Sequence, residues 1–253
     1  MSPQSTRVGL VLIGDELLSG KRTDKHMPKA IELLAARGME LSWARMVGDD
    51  AQVLEQTLRE TLAGPDIVFS FGGIGATPDD RTRQCAAAAA GVELEFNAEG
   101  RRILEERFGE DAYPKRIHMV EWPVGARVIP NPVNRVPGFS FGDHHFVPGF
   151  PNMAWPMIEW VLDTHYRHLH RLERDVELLV EVLDTPESAL IDPMQTLMDA
   201  HPSVRIACLP NAGGARVIEF GVRGAPAAAR AAFEDLKNTF RDAGVPLGRE
   251  STP

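Results

Sequence analysis

Residues 69–82 read FSFGGIGATPDDRT, and the fold of the chain turns on how this stretch is read. Ile67, Val68, Phe69 and Phe71 form an apolar run of strand length. It stops abruptly at Gly72, Gly73 and Gly75. Glycines packed this densely open backbone angles closed to other residues and let the main chain approach a ligand without a Cβ in the way. Pro78, Asp79, Asp80 and Thr82 follow, and then the segment QCAAAAA, which predicts a helix. A buried strand, a glycine loop and a helix with free first amides make a rim suited to phosphate. The same order also serves as a plain tight connection in α/β proteins. The loop lacks the Lys of a P-loop and the GxGxxG spacing of a dinucleotide site. What sets it apart is the adjacent pair Asp79 and Asp80. Carboxylates beside a phosphate cradle repel the phosphate unless a hard cation such as Mg²⁺ lies between them.

Two other acid-bearing turns lie upstream. Val8 to Ile13 is a continuous apolar strand fit for burial on both faces, and it ends at Gly14, Asp15 and Glu16. After SGKRTD, Pro28 suits a first helical turn, Met27, Ile31 and Leu34 recur at helical spacing, and Gly38 follows as a stop. Leu41 to Val47 reads as a strand closed by Gly48, Asp49 and Asp50. One of these two aspartates can cap the helix through Val53, Leu54, Leu58 and Leu62 while the other holds a ligand; the local sequence leaves both roles open to both residues. Strand and helix alternate three times, which predicts a parallel sheet covered on both faces. Ligands gather beyond the carboxyl ends of such strands, so the three turns are expected to face one crevice.

Residues 97–107 read as a helix, and the Pro- and Gly-rich region 123–149 as short strands at Val128, Phe139 and His145 to Val147. His144 and His145 suggest a metal pair, but neighbours on a strand point to opposite faces and do not share an ion readily. A helix with Met153, Met157, Ile158, Val161 and Leu162 follows, with Trp155 and Trp160 read as packing residues. From residue 171 the pattern changes to an alternating strand at 176–182, a helix with Leu190, Met194 and Leu197, a hairpin turning at Asn211, Gly213 and Gly214, and a last helix over 227–243. This predicts two domains, 1–170 and 171–253, the second a small α+β unit serving dimerisation or partial closure of the first.

Of the 253 residues 43% are hydrophobic, ample for a core, and the net charge is −9. An acidic chain argues against a general nucleic-acid binder while leaving room for a small anionic ligand. The two cysteines, Cys85 and Cys208, stand in no metal-ligand spacing. The polar start MSPQSTR and the want of a membrane-length apolar run lead to the expectation of a cytoplasmic protein that touches no membrane.

The motifs at Gly14 to Gly20, Val47 to Asp50 and Gly72 to Thr82 together resemble those of the MoaB/Mog molybdopterin-binding domain, in the variant found at the front of the competence/damage-inducible CinA family. Asn131 with Val136-Pro137-Gly138, and Pro148-Gly149-Phe150-Pro151, resemble that family's later loops, and Glu187-Ser188 its smaller second domain. The resemblance implies a three-layer α/β fold with a mainly parallel sheet, followed by a small C-terminal α+β domain. It further implies a site for a phosphorylated pterin or nucleotide, with Asp49 and Asp80 catalytic and holding a divalent cation (Mg, Mn or Co). Gly14, Asp15, Glu16, Gly72, Gly73, Ile74, Gly75 and Thr82 would bind the cofactor or phosphate. The leading expectation is hydrolysis of a nucleotide-type pyrophosphate such as ADP-ribose, FAD or CoA. The alternatives are binding of molybdopterin or a nucleotide without turnover, and adenylyl transfer to molybdopterin in cofactor biosynthesis. A homo-oligomer is expected as well. Lys21-Arg22-Thr23-Asp24-Lys25-His26 departs from the Asn-rich stretch of many relatives, and Lys21 and Arg22 are candidates to neutralise phosphate charge. The chain is expected to be a short form without the amidohydrolase-like region of longer CinA proteins, so deamidation is not carried over.

Overall fold

A computed structural model of the protein describes residues 7–171, 173, 175–210 and 217–252. The chain forms two compact units, one ending at His170 and the other starting at Arg171. In the first, the elements run β1 (Val8–Ile13), α1 (Asp15–Leu18), α2 (His26–Ala35), β2 (Leu41–Val47), α3 (Ala51–Leu62), β3 (Ile67–Phe71) and α4 (Thr82–Ala90). There follow β4 (Leu94–Phe96), α5 (Ala98–Phe108), β5 (Glu121–Pro123), β6 (Arg127–Ile129), β7 (Gly138–Phe141), β8 (His144–Val147) and α6 (Pro151–His165).

The main sheet has the order β2-β1-β3-β8-β7-β6. Strands β2, β1, β3 and β8 are mutually parallel, whereas β7 runs antiparallel to both β8 and β6. Alternate residues of β1 serve different layers because successive side chains on a strand point to opposite faces. Leu10 and Leu12 pack with Leu33, Leu34, Met157 and Val161 of α2 and α6, while Val11 and Ile13 pack with Leu54, Leu58, Ala86 and Leu104 of α3, α4 and α5. That is the expected three-layer, mainly parallel α/β fold. The short pair β4 and β5 forms a separate ribbon that the sequence pattern did not show.

One face was misread from the sequence. The buried residues of α2 are His26, Ala30, Leu33 and Leu34, and the expected Met27 and Ile31 point to solvent. His26 takes the core position because its ring packs on Phe71, 4.4 Å between centroids, and its Nε2 meets the Gly149 carbonyl at 3.2 Å. His144 and His145 are buried on β8 and have different partners, Ser70 Oγ for His144 and Ser140 Oγ with Tyr166 Oη for His145. Their ring nitrogens are thus directed to separate partners.

The second unit comprises β9 (Val176–Leu183), α7 (Ile191–Ala200), β10 (Arg205–Pro210), β11 (Val217–Gly224), α8 (Pro226–Asp242) and β12 (Leu247–Ser251). Its antiparallel sheet, β10-β11-β9-β12, buries Val180, Val182, Phe220 and Val222 against Leu197, Phe233, Leu236 and Phe240 of α7 and α8. Pro193 lies in the first turn of α7, where its missing amide breaks no helical bond. The hairpin turn expected at Asn211, Gly213 and Gly214 lies outside the described residues. Strand β12, LGRES, carries no apolar alternation and was not legible. Among the described residues no helix is long and apolar enough to cross a membrane.

Candidate active site

The register of the parallel strands sets the site. Ile13 pairs with Val47, Leu12 with Phe71, and Phe71 with Val147, so β1, β2, β3 and β8 end side by side. Gly14 N–H donates to the Val47 carbonyl and Gly72 N–H to the Val147 carbonyl, both at 3.0 Å, which ties the loops to their neighbours as they leave the sheet. These loops, with the connection between β6 and β7 and the start of α6, enclose a cavity of about 560 Å³. Gly14, Glu16, Asp49, Gly72, Gly73, Ile74, Gly75, Asp79 and Asp80 lie on its wall. The sequence had singled out all of them, and the fold brings them to one place.

The glycine loop is shaped from behind. Gly72 and Gly73 adopt φ of 103° and 67°, values that favour glycine. A Cβ on Gly73 would stand 2.2 Å from Thr82 Oγ1, and one on Gly75 2.4 Å from Asp80 Oδ2. Thr82 is fully buried; its hydroxyl donates to the Gly72 carbonyl at 2.9 Å and its amide to the Gly73 carbonyl at 2.9 Å. This corrects the expectation that Thr82 grips phosphate: it is not on the cavity wall and instead holds the loop in position. The Gly72 amide is likewise engaged in the sheet. Among the described residues, the amides of Gly73, Ile74, Gly75 and Ala76 have no acceptor within the protein. Four neighbouring main-chain donors thus remain for an anion.

Arg83 went unnoticed in the sequence. It is 2% exposed, donates from Nε and Nη2 to the Gly75 carbonyl at 3.2 and 2.9 Å, and from Nη1 to the Glu121 carbonyl at 3.1 Å. Burial pulls its pKa down from the usual guanidinium value, against the pull of Glu121 and Asp80. The only sequence signal was a basic residue at the head of an Ala-rich helix that needs its face apolar.

The acids divide their work. Asp50 caps α3, its Oδ1 accepting from the amides of Gln52 and Val53 at 3.0 Å, which leaves Asp49 for the cavity. Asp49 Oδ2 accepts from the Asp15 amide at 3.0 Å while Asp15 Oδ1 accepts from the Asp49 amide at 3.1 Å, a reciprocal clasp between the first two loops. Asp15 therefore fixes Asp49 and is itself off the wall. Asp80 Oδ2 accepts from the Thr77 amide at 3.0 Å and from its hydroxyl. Burial raises the Asp49 pKa, countered by the Asp15 amide and reinforced by the charges of Asp15, Glu16 and Asp79. Among the described residues Arg22 is the one basic side chain on the wall, 3.9 Å from Glu16, and Lys21 does not reach it.

Such a crowd of carboxylates beside free amides suits a cation placed between acid and phosphate. Each of Asp49 and Asp80 has one oxygen tied to a loop amide and a second carboxylate oxygen beside it. Two carboxylates together with phosphate oxygens from a ligand would make a donor set of the Mg²⁺ type. Among the described residues no cluster of three or more His, Cys, Asp and Glu side chains is arranged to hold a metal alone.

A fold of this kind with a site at its strand ends defines a class. Residues 9–168 match the family described as the probable molybdopterin binding domain, and the chain belongs to that family. The chain is 34% identical over 236 residues to the CinA-like protein of Anaeromyxobacter sp. (strain K), an alignment spanning 89% of this chain and 57% of that protein. It is 37% identical over 160 residues to the CinA-like protein of Citrifermentans bemidjiense, spanning 60% of this chain and 39% of that one. The crystal structure of the protein CinA with unknown function from Thermoplasma acidophilum superposes with a TM-score of 0.57 at 25% identity, covering 62% of this chain and 98% of the other. These likenesses bear out the resemblance drawn from the three motifs. The chain spans about two fifths to three fifths of the length of these curated relatives.

Proposed function

We propose that the cavity binds a nucleotide-type pyrophosphate together with a divalent cation and hydrolyses the phosphoanhydride bond. The observation that supports this reading is the meeting of Asp49, Asp80 and the open amides of Gly73 to Ala76 on one wall. In this reading the amides hold the phosphate oxygens in place and Arg22 offsets charge that builds on them. Asp49 and Asp80 would hold Mg²⁺, Mn²⁺ or Co²⁺, which when bound would supply polarisation of a phosphoryl oxygen and a more acidic attacking water. Water oxygen bonds to one phosphorus, the bridging oxygen leaves on the other, and a proton is released to solvent.

The test is release of mononucleotides from ADP-ribose, FAD or CoA with each metal. Turnover that needs the metal and is lost in Asp80→Ala supports the reading; no turnover on any of the three, or full activity in that variant, removes it. A second reading is tight binding of a phosphorylated pterin or nucleotide without turnover. It draws on the family description. Calorimetry showing binding unaffected by EDTA would favour it. Adenylyl transfer to molybdopterin needs an ATP site as well, and failure to bind ATP would exclude it.

A further inference from the structure

Behind the cavity, parts of the chain far apart in sequence meet at His26, the first residue of α2. This buried ring packs on Phe71, the last residue of β3 before the glycine loop, at 4.4 Å between centroids. Its Nε2 lies 3.2 Å from the Gly149 carbonyl oxygen, in the loop between β8 and α6. That loop leans on the anion cradle: a Cβ on Gly149 would stand 3.4 Å from Gly72 Cα, and the Gly72 amide donates to the Val147 carbonyl at 3.0 Å. One side chain therefore touches both the residue that leads into the cradle and a loop that lines the cavity beside it.

The contact with Gly149 fixes the protonation state of the ring. A carbonyl oxygen only accepts, so Nε2 carries the proton and the neutral ring leaves Nδ1 as a bare acceptor. Nδ1 is buried and has no hydrogen-bond partner among the described residues. Asp24 is occupied elsewhere, its Oδ1 accepting from the His26 amide at 2.9 Å and its Oδ2 from the Met27 amide at 3.0 Å. Glu16, Arg22 and Lys25 are the other charged residues that line, with His26, a side pocket of about 390 Å³. On α2 itself Lys29 pairs with Glu32, and β3 brings no charge. From α6, Glu159 and Asp163 face Arg37 and His165 packs on Trp160. Burial lowers the His26 pKa, opposed by the Gly149 carbonyl and by the charge of Asp24. A proton on Nδ1 would be a buried donor with nothing to accept it. The charged ring is better served by water, which it reaches by leaving the Gly149 carbonyl.

We infer that His26 is a positioning residue for the anion cradle: in its neutral form it clamps the Gly149 carbonyl and keeps the β8–α6 loop packed against Gly72, and a proton on Nδ1 releases the clamp. The inference rests on the phosphate reading above for the ligand that feels the clamp; the clamp itself belongs to the free protein. His26 is off the wall of the main cavity and acts through Phe71 and Gly149.

Two arms test this on the full chain. Without ligand, NMR between pH 7.5 and pH 5 follows the His26 ring and the amides of Gly72, Gly73 and Gly149. The ring should be the Nε2–H tautomer at pH 7.5 and take up its proton below pH 6.5, and the three amides should shift with the same midpoint. In His26→Gln, whose side-chain amide keeps a donor at the place of Nε2 and does not titrate, that shift should vanish. With ligand, calorimetry in Mg²⁺ uses an ADP-ribose analogue carrying a methylene in place of the bridging oxygen, whose charge is constant over this range. His26→Gln should bind it within about twofold of wild type at pH 7.5 and about three- to tenfold tighter than wild type at pH 5, the scale of one hydrogen bond. Asp49, whose pKa burial raises, weakens both proteins alike on acidification and drops out of the comparison. An Nδ1–H tautomer, a ring still neutral at pH 5, amides that ignore its titration, or equal affinities of the two proteins at pH 5 overturn the clamp and leave the phosphate reading standing. No binding by either protein at any pH overturns the phosphate reading, and the ligand-free arm still decides the clamp.

Discussion

Gly73→Ala probes how the anion loop is held, and its cost can be built from parts. Gly73 has φ of 67°, where an alanine carries about 1–2 kcal/mol of strain. The new Cβ would stand 2.2 Å from Thr82 Oγ1, so the hydroxyl has to leave its 2.9 Å bond to the Gly72 carbonyl. A buried carbonyl and hydroxyl left unpaired cost about 1–3 kcal/mol more, giving a total of about 2–5 kcal/mol. Thr82→Ala alone should cost about 1–3 kcal/mol, the lost bond without the strain. In the double variant that bond can be lost only once and the clash is gone, so its cost should fall short of the sum by about 1–3 kcal/mol. Urea unfolding followed by tryptophan fluorescence suits the measurement, because Trp43, Trp122, Trp155 and Trp160 all belong to the first unit. Additive costs, or a Gly73→Ala variant as stable as wild type, would refute the claim that Thr82 shapes the loop.

Arg83→Met removes the donors that hold the Gly75 and Glu121 carbonyls and should destabilise the first unit by about 2–4 kcal/mol, read from the same unfolding curves. Asp49→Asn should raise Tm while lowering any metal-dependent turnover about 100-fold or more. The ionised carboxylate is disfavoured in the fold by burial and by Asp15, Glu16 and Asp79, whereas an amide can still accept from the Asp15 N–H. Stability should also fall on acidification. Burial lowers the His144 pKa to about 3 and pushes His145 well below 6.5, so below pH 6.5 the unfolded chain binds protons that the folded one refuses. His144 alone should cost about 2 kcal/mol by pH 5, with His145 adding in the same direction. Unfolding free energies that stay level between pH 7 and pH 5 would contradict this.

The first unit was legible because its signals reinforce one another. VGLVLI and IVFSF could only be strands buried on both faces, and each ran straight into glycines and acids, so the position of the site followed from the sheet. What the sequence withheld was the face each side chain turns. Met27 and Ile31 looked like the apolar stripe of α2, yet His26 took the core place through Phe71 and the Gly149 carbonyl, contacts made across 45 and 123 positions. Thr82 looked like a ligand contact and Arg83 drew no reading at all, yet both turned out to brace the loop. Side-chain direction at a helix start depends on the loop packed behind it, which periodicity does not encode. Local sequence alone did not distinguish Asp49 from Asp50, and the cap at Asp50 does. Strand β12 stayed hidden because LGRES is an edge segment with little to bury.

The most direct measurement is the affinity, by calorimetry across a Mg²⁺ titration, of an ADP-ribose analogue whose bridging oxygen is replaced by a methylene so that it is not hydrolysed, for wild type and for the Asp49→Asn/Asp80→Asn double variant. Wild type should bind weakly in EDTA, where carboxylates face phosphate unshielded, and tighten about tenfold or more as Mg²⁺ rises. The neutralised variant should bind with an affinity indifferent to the metal. Equal wild-type affinity with EDTA and with Mg²⁺ would mean that no cation mediates between these acids and the ligand.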